Sequence, residues 1–302
     1  MVSGFFPFTK FRVRMTPCSY LMNTQLSLRQ ALAQGTKALE DVSLQPHRDA
    51  ELLLLRLIGR DRTFLLTHPD AILTEDQAAQ YDEWLRRRAI HEPIQYILGE
   101  QEFYGLSFAV TPDVLIPRPE TEHLVEALLA RVPHDMPLTI ADIGTGSGAI
   151  AIALAHTLRD AQVAALDISE AALAIARCNA ETHQVADRVR FLKSDLLSAV
   201  AGESFDAIVS NPPYVAEADR ATLEPQVRDY EPAFALFAGP SGLDIYERLI
   251  PQAQLALKPG GWLLMEIGQG QREALAQLLS GWTNVSFIND LQGIPRIACA
   301  QR

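Results

Sequence analysis

The four residues Asn211-Pro212-Pro213-Tyr214 follow the apolar run "FDAIVS" and give up two backbone donors where a strand should end. The Asn211 side-chain oxygen and the Pro212 carbonyl can both accept from a planar NH₂ group. An amide or aromatic amine is a poor nucleophile because its lone pair is delocalised. Acceptors fixed in direction would orient such a nitrogen and stabilise the charge that grows on it. Proline restricts its own φ and the conformation of the residue before it, so the acceptors of Asn211, Pro212 and Pro213 have little entropy left to lose. Tyr214 is expected to supply an apolar wall for a planar group. A strand followed by a proline-stiffened turn is the plain alternative.

A second group of residues points to a nucleoside. In "ADIGTGSGAIAIALA" the loop Gly144, Thr145, Gly146, Ser147, Gly148 lies between a strand and a helix. Its glycines allow a ligand to approach the backbone closely. The spacing is not that of the dinucleotide fingerprint, because the third glycine comes one residue early and Ala149 takes its place. By itself the loop fits a tight turn or a nucleoside pocket. Asp167 ends the next apolar run about 20 residues further on, where an acid can accept from both ribose hydroxyls; with Ser169 it also fits a helix cap. Asp195 ends a third run and can accept from an exocyclic adenine amine while Leu196 covers the ring face. A capping or surface acid is its alternative. Three successive strand ends carrying glycines, an acid and an acid favour the nucleoside.

Positioning these residues is the work of the surrounding elements. Residues 26–91 have helical periodicity, with breaks at Gly59 and Pro69, and Pro93 is expected to end this bundle. Residues 102–117 alternate and turn at Gly105 like a hairpin. After Arg118, strand candidates at 138–144, 161–168, 189–195, 205–211, 260–268, 285–289 and 296–300 are mostly separated by helical segments. The expected fold is α/β, a seven-stranded, doubly wound, mostly parallel sheet with a small N-terminal helical bundle joined by a β-hairpin. The expected divisions are a disordered or over-extended N-terminus (1–22), a helical domain (23–92), a hairpin linker (93–117) and a catalytic domain (118–302). In such sheets ligands bind beyond the carboxyl ends of the strands, near the switch in strand order.

Composition narrows the function classes. The chain has 302 residues, 48% of them hydrophobic, enough for a sizeable core. A net charge of −11 argues against a broad phosphate-binding face and so against a stable nucleic-acid partner. The run "WLRRRAIH" (84–91) is read as a solvated helix face. Cys18, Cys178 and Cys299 lie far apart, which favours neither a zinc site nor a disulfide framework and fits a reducing cytoplasm. No apolar stretch approaches the roughly 20 residues that span a bilayer, so no membrane partner is expected. His91, His123, His156 and His183 are scattered and are assigned surface or packing roles.

The motifs together resemble those of the release factor glutamine methyltransferase family. The likeness runs from about Leu26 to the C-terminus and rests on "VLIPRPETE" (114–122), "DIGTGSGAIAIALA" (142–155), "ALDIS" (165–169), "SNPPYV" (210–215), the Glu-Pro of "RDYEPAFAL" (228–236), "SGLDIYERLI" (241–250) and "LKPGGWLLMEIG" (257–268). The resemblance implies S-adenosyl-L-methionine as donor, held by Gly144 to Gly148, Asp167, Asp195, Leu196 and Asn211. It implies that Asn211, Pro212, Pro213 and Tyr214 hold the glutamine amide of the Gly-Gly-Gln tripeptide in class 1 peptide chain release factors, with the helical domain recognising the factor. Arg118, Pro119, Glu120, Thr121 and Glu122 match the interdomain motif and shape the site, although Arg118 with Glu120 or Glu122 also fits a structural ion pair. Two features depart from the family: residues 1–22 have no clear counterpart, and Leu196 stands where some relatives carry an aromatic residue.

Two other readings compete. A methyltransferase acting on adenine N6, cytosine N4 or guanine N2 would need the same acceptors, but also a flipped base and a held phosphate backbone. A non-catalytic binding module of the same fold would have no need of intact glycines, Asp167 and Asn211.

Overall fold

Apolar residues three and four apart build α1 (Leu28–Ala38), α2 (Pro46–Ile58), α3 (Arg62–Thr67) and α4 (Glu75–Ala89) in the computed structural model, which describes residues 26–302. The expected N-terminal segment, residues 1–22, lies outside the described residues. Ser27 with Gln30 and Thr74 with Gln77 form reciprocal capping boxes, and Gly59 ends α2 in the left-handed conformation. The apolar stripes meet around Leu39, Ala50, Leu53, Leu54 and Tyr81, and the Tyr81 hydroxyl donates to the Ala50 carbonyl at 3.0 Å. Pro93 does not end the bundle. A fifth helix, α5 (Ile94–Leu98), follows it directly and Ile97 joins the same core, because a proline at a helix start gives up only an N–H that would lack a partner there.

The basic run at the end of α4 is only partly a solvated face. Arg86 pairs with Glu83 and Arg87 with Glu92, each at 2.5 Å, whereas Arg88, 7% exposed, is buried against Asp49 at 2.8 Å. Arg88 therefore ties α4 to α2.

The expected hairpin consists of β1 (Glu100–Phe103) and β2 (Leu106–Ala109), joined by Tyr104 and Gly105, both at positive φ. Phe103 and Phe108 meet edge to face, 6.1 Å between centroids, within the core on one face of the main sheet. The linker behind them packs too: Val110, Val114 and Ile116 form a cluster with Tyr96 and with Ala172 of the catalytic domain.

Helix α6 (Glu122–Leu129) leads into that domain. Strands β3 (Thr139–Ile143), β4 (Gln162–Asp167), β5 (Val189–Lys193), β6 (Phe205–Ser210), β7 (Leu257–Glu266), β8 (Thr283–Asn289) and β9 (Pro295–Gln301) form one sheet in the order β5-β4-β3-β6-β7-β9-β8. Pairings among β3 to β7 are parallel, and β9 runs antiparallel to both of its neighbours. Helices α6, α7 (Ala149–Thr157) and α8 (Glu170–Thr182) contribute to the core on one face, and α10 (Asp244–Ala256) and α11 (Arg272–Leu278) to that on the other. A short α9 (Pro225–Tyr230) lies in the loop between β6 and α10. Strand β7 starts at Leu257, earlier than the expected Gly260. Lys258 to Gly261 carry the strand on through a register shift opposite Phe205 and Ala207.

The chain runs outward from β3 to β5 and returns to place β6 on the other side of β3, which makes the β3/β6 boundary the switch point. Ile143 lies in register with Ser210, and the Ser210 hydroxyl donates to the Ile143 carbonyl at 2.7 Å. The glycine loop and Asn211 therefore leave the sheet side by side. No helix among the described residues is long and apolar enough to cross a membrane.

Candidate active site

A cavity of about 230 Å³ opens at the carboxyl ends of the central strands. Gly144, Thr145, Gly146, Ser147, Asp167, Asp195, Leu196, Asn211, Pro212 and Pro213 all line it. Gly148 and Tyr214 are not among the lining residues. Gly148 instead lets α7 approach α8: a Cβ there would lie 2.9 Å from Ile152 Cδ1 and 3.1 Å from Ala176 Cβ. The wall expected of Tyr214 is not where the structure has its ring, which packs below the loop among apolar residues while its hydroxyl donates to Glu266 at 3.1 Å. A phenol at such a depth needs an acceptor. Phe234, 52% exposed, and Ile168, 58% exposed, are the apolar side chains at the cavity rim that local pattern did not single out. None of the four histidines named from the sequence lines the cavity.

The glycine loop turns its donors inward. Gly144 and Thr145 N–H groups donate to the Leu166 carbonyl at 2.8 and 2.9 Å, Gly146 N–H to Asp167 Oδ2 at 2.9 Å, and Gly148 N–H to the Thr145 carbonyl at 2.8 Å. A loop built for a pyrophosphate offers such groups to the ligand. Here they are consumed, which suits a nucleoside without phosphates. Two residues missed in the sequence hold the loop. Asp142, fully buried, accepts from the Thr145 hydroxyl at 2.6 Å and from Ala151 N–H in the first turn of α7 at 3.2 Å; burial pushes its carboxyl up to about 7 against those two hydrogen bonds. Asn179 on α8 donates to the Ser147 carbonyl at 2.9 Å and exchanges two hydrogen bonds with the backbone of Ala109, tying the hairpin to the loop.

The two acids differ. Asp167 is buried, and its second oxygen accepts from Ser169 N–H at 2.8 Å; burial raises its pKa while these backbone donors oppose the rise. The helix cap proposed as its alternative role belongs to Ser169, whose hydroxyl accepts from Ala172 N–H. Asp195 lies half-exposed with Oδ2 on Arg248 at 2.6 Å. Leu196 is buried and adopts a positive φ of 51°.

Asn211 stands at the end of a buried relay. Its Nδ2 donates to Thr121 Oγ1 at 3.0 Å, and Thr121 Oγ1 donates to Glu266 Oε2 at 2.5 Å. Glu266, 2% exposed at the end of β7, also accepts from Tyr214. Burial raises its pKa, opposed by the Thr121 and Tyr214 hydrogen bonds and by the Arg296 charge. Neither Thr121 nor Glu266 carries a signal in isolation, though both lie inside motifs quoted above. The ion pair of the interdomain motif is not the one expected: Arg118 pairs with Glu231 of "RDYEP", whose other oxygen accepts from Ile116 N–H at 3.2 Å, and Glu122 accepts from Tyr104 N–H at 3.0 Å.

Comparison with known proteins agrees with this arrangement. A family model described as the PrmC N-terminal domain matches residues 30–99, and one described as the methyltransferase small domain matches residues 120–226. The release factor glutamine methyltransferase of Koribacter versatilis is 47% identical over 279 residues, 92% of this chain and 99% of that protein. That of Escherichia coli is 43% identical over 271 residues, 89% of this chain and 95% of that one. The solved hMettl16 catalytic domain in complex with the MAT2A 3'UTR hairpin 6 is similar with a TM-score of 0.55 over 78% of this chain and 85% of that chain; at 18% identity this shows the fold alone. With near-complete coverage at these identities, the chain belongs to the release factor glutamine methyltransferase family.

Proposed function

We propose that this chain transfers the methyl group of S-adenosyl-L-methionine to the side-chain N5 of the glutamine in the Gly-Gly-Gln tripeptide of class 1 peptide chain release factors, in the cytoplasm. The observation that carries the reading is the amide of Asn211 at the cavity, with its nitrogen engaged by Thr121 and its oxygen left to accept. S-adenosylmethionine supplies an electrophilic methyl group on a sulfonium. The residues present fit that donor: an inward-turned glycine loop asks for no phosphate, Asp167 offers a buried carboxylate to ribose hydroxyls, and Asp195 with Leu196 and the exposed Ile168 suits an adenine.

Asn211 Oδ1 and the Pro212 carbonyl would accept from the two N–H groups of the glutamine amide, orient its nitrogen and stabilise the positive charge that grows on it. No strong base is required beforehand, since the nitrogen turns acidic as its lone pair is drawn into the new bond. The proton leaves to water or to the Pro212 carbonyl. The linker forms part of the cavity wall through Asp113, Val114, Leu115 and Pro117, which suits a narrow cleft for an exposed loop tip. The chain's charge of −11 and the ion-paired Arg86, Arg87 and Arg88 favour a protein substrate over a nucleic acid.

The test is transfer of labelled methyl to a class 1 release factor, to its Gly-Gly-Ala variant, and to bulk DNA and RNA. Label is expected on the wild-type factor alone. Label on nucleic acid, or equally on both factor forms, would reject the reading. Asn211→Ala should remain folded and lose turnover by about 100-fold or more, with a smaller effect on donor affinity.

A further inference from the structure

An asparagine amide can lie either way round, and only one way presents an oxygen to a substrate NH₂. We propose that Thr121 and Glu266 are positioning residues that set the polarity of Asn211. Each bond in the relay dictates the next. Glu266 already accepts from the Tyr214 hydroxyl through Oε1, and in its ionised form it has no proton to donate. The single Thr121 hydroxyl proton is therefore committed to Glu266 Oε2, at 2.5 Å. Thr121 Oγ1 can then only accept from Asn211, which requires the Asn211 nitrogen on its side, at 3.0 Å. Asn211 Oδ1 is left as the atom turned to substrate.

The relay joins distant parts of the chain and runs from the cavity wall, which Asn211 and Thr121 line, into the interior at Glu266. Thr121, before α6, and Glu266, at the end of β7, are both buried. At the Glu266 end water cannot readily substitute for a lost partner, so a break there leaves an unpaired polar group or a reversed amide. A neutral amide at position 266 would accept from Tyr214 and donate to Thr121. The Thr121 proton would then point to Asn211, and the asparagine would present NH₂ to the NH₂ of the substrate.

This inference rests on Asn211 holding the substrate amide, and the experiment separates the two claims. Thr121→Val, Thr121→Ser, Glu266→Gln and Asn211→Ala are compared for kcat, for KM toward release factor, for donor affinity by calorimetry and for Tm. Thr121→Val keeps the shape and loses the hydroxyl, and is expected to lower kcat roughly 10- to 100-fold with donor affinity nearly unchanged. Thr121→Ser keeps the hydroxyl and should stay within about threefold of wild type, because the relay bond is retained. A packing role predicts the opposite order, with Val tolerated and Ser impaired. Glu266→Gln should lower kcat about 100-fold. Val at or above Ser in kcat, or a folded Glu266→Gln with wild-type turnover, would overturn the relay even if Asn211→Ala is inactive. An active Asn211→Ala would overturn the amide-holding role and the relay with it. Should Glu266→Gln fail to fold, the Thr121 pair decides by itself.

Discussion

Asp167 ends β4 and Asp195 lies just beyond the neighbouring β5, yet the first is buried with both oxygens taken by backbone N–H groups and the second lies half-exposed beside Arg248. A buried acceptor is worth more than an exposed one because water does not compete for it. Asp167→Ala should weaken S-adenosylmethionine binding roughly 10- to 100-fold, since it removes a charged acceptor and frees Gly146 of the glycine loop. Asp195→Ala should cost only a few-fold, as befits an exposed, solvent-screened group. Calorimetry on both variants checks the order, and the reverse order would contradict the burial argument. Residues of this kind were legible because strand-end acids, glycines and Asn-Pro-Pro-Tyr announce themselves locally. Thr121, Glu266 and Asn179 were not assigned their roles, because their partners stand 90 to 145, 52 to 145 and 32 to 70 positions away along the chain.

At the scale of elements, the glycine loop is held by Asp142 in β3, which acts from beneath on both Thr145 and the first turn of α7. Its pKa is raised from 3.8 to about 7 in the native state, so between those values the folded protein keeps a proton that the unfolded chain has released. The contribution of Asp142 to stability therefore falls as pH rises through that window. Asp142→Asn retains an oxygen for Thr145 and Ala151 and cannot ionise. The difference in unfolding free energy, wild type minus Asp142→Asn, should decline over the window by at most on the order of a few kcal/mol. Denaturant titrations at stepped pH check this, and a pH-independent difference would rule it out. Strands and helices were readable from period and breakers, whereas α5 after Pro93 and the early start of β7 were not: tertiary contact kept Ile97 in the helical core, and hydrogen bonds of Gly260 and Gly261 with Arg302 and Gln301 at the chain's end carried a Pro-Gly-Gly segment into the sheet.

At the scale of the whole molecule, a few polar bonds, most of them buried or half-buried, join the two domains and the linker. Glu231 receives Arg118 and the N–H of Ile116, the Tyr96 hydroxyl donates to Val114, and the Tyr230 hydroxyl donates to Ile90 in the helical domain. These bonds fasten the linker, which forms part of the cavity wall, to both domains. Glu231→Ala would strand a buried N–H and a guanidinium and should cost roughly 1–3 kcal/mol, seen as a Tm several degrees lower. Glu231→Gln, still able to accept from Ile116, should lose less. An unchanged Tm for Glu231→Ala would show that the linker is held without Glu231, by its apolar cluster and the Tyr96 hydrogen bond.

The amino-acid order by itself determined the fold class, the helical domain ahead of it and the positions of the strand-end motifs, because periodicity, glycine, proline and capping residues act over a few neighbours. The tertiary structure decided which of those motifs share a cavity and which way their polar groups face. It moved Tyr214 beneath the loop and turned Arg118 from its neighbours in sequence to Glu231. It also joined Asn211 to Glu266 through Thr121. The physical reason is burial: a hydroxyl, carboxylate or guanidinium removed from water must find a partner, and that partner is set by which strands lie side by side.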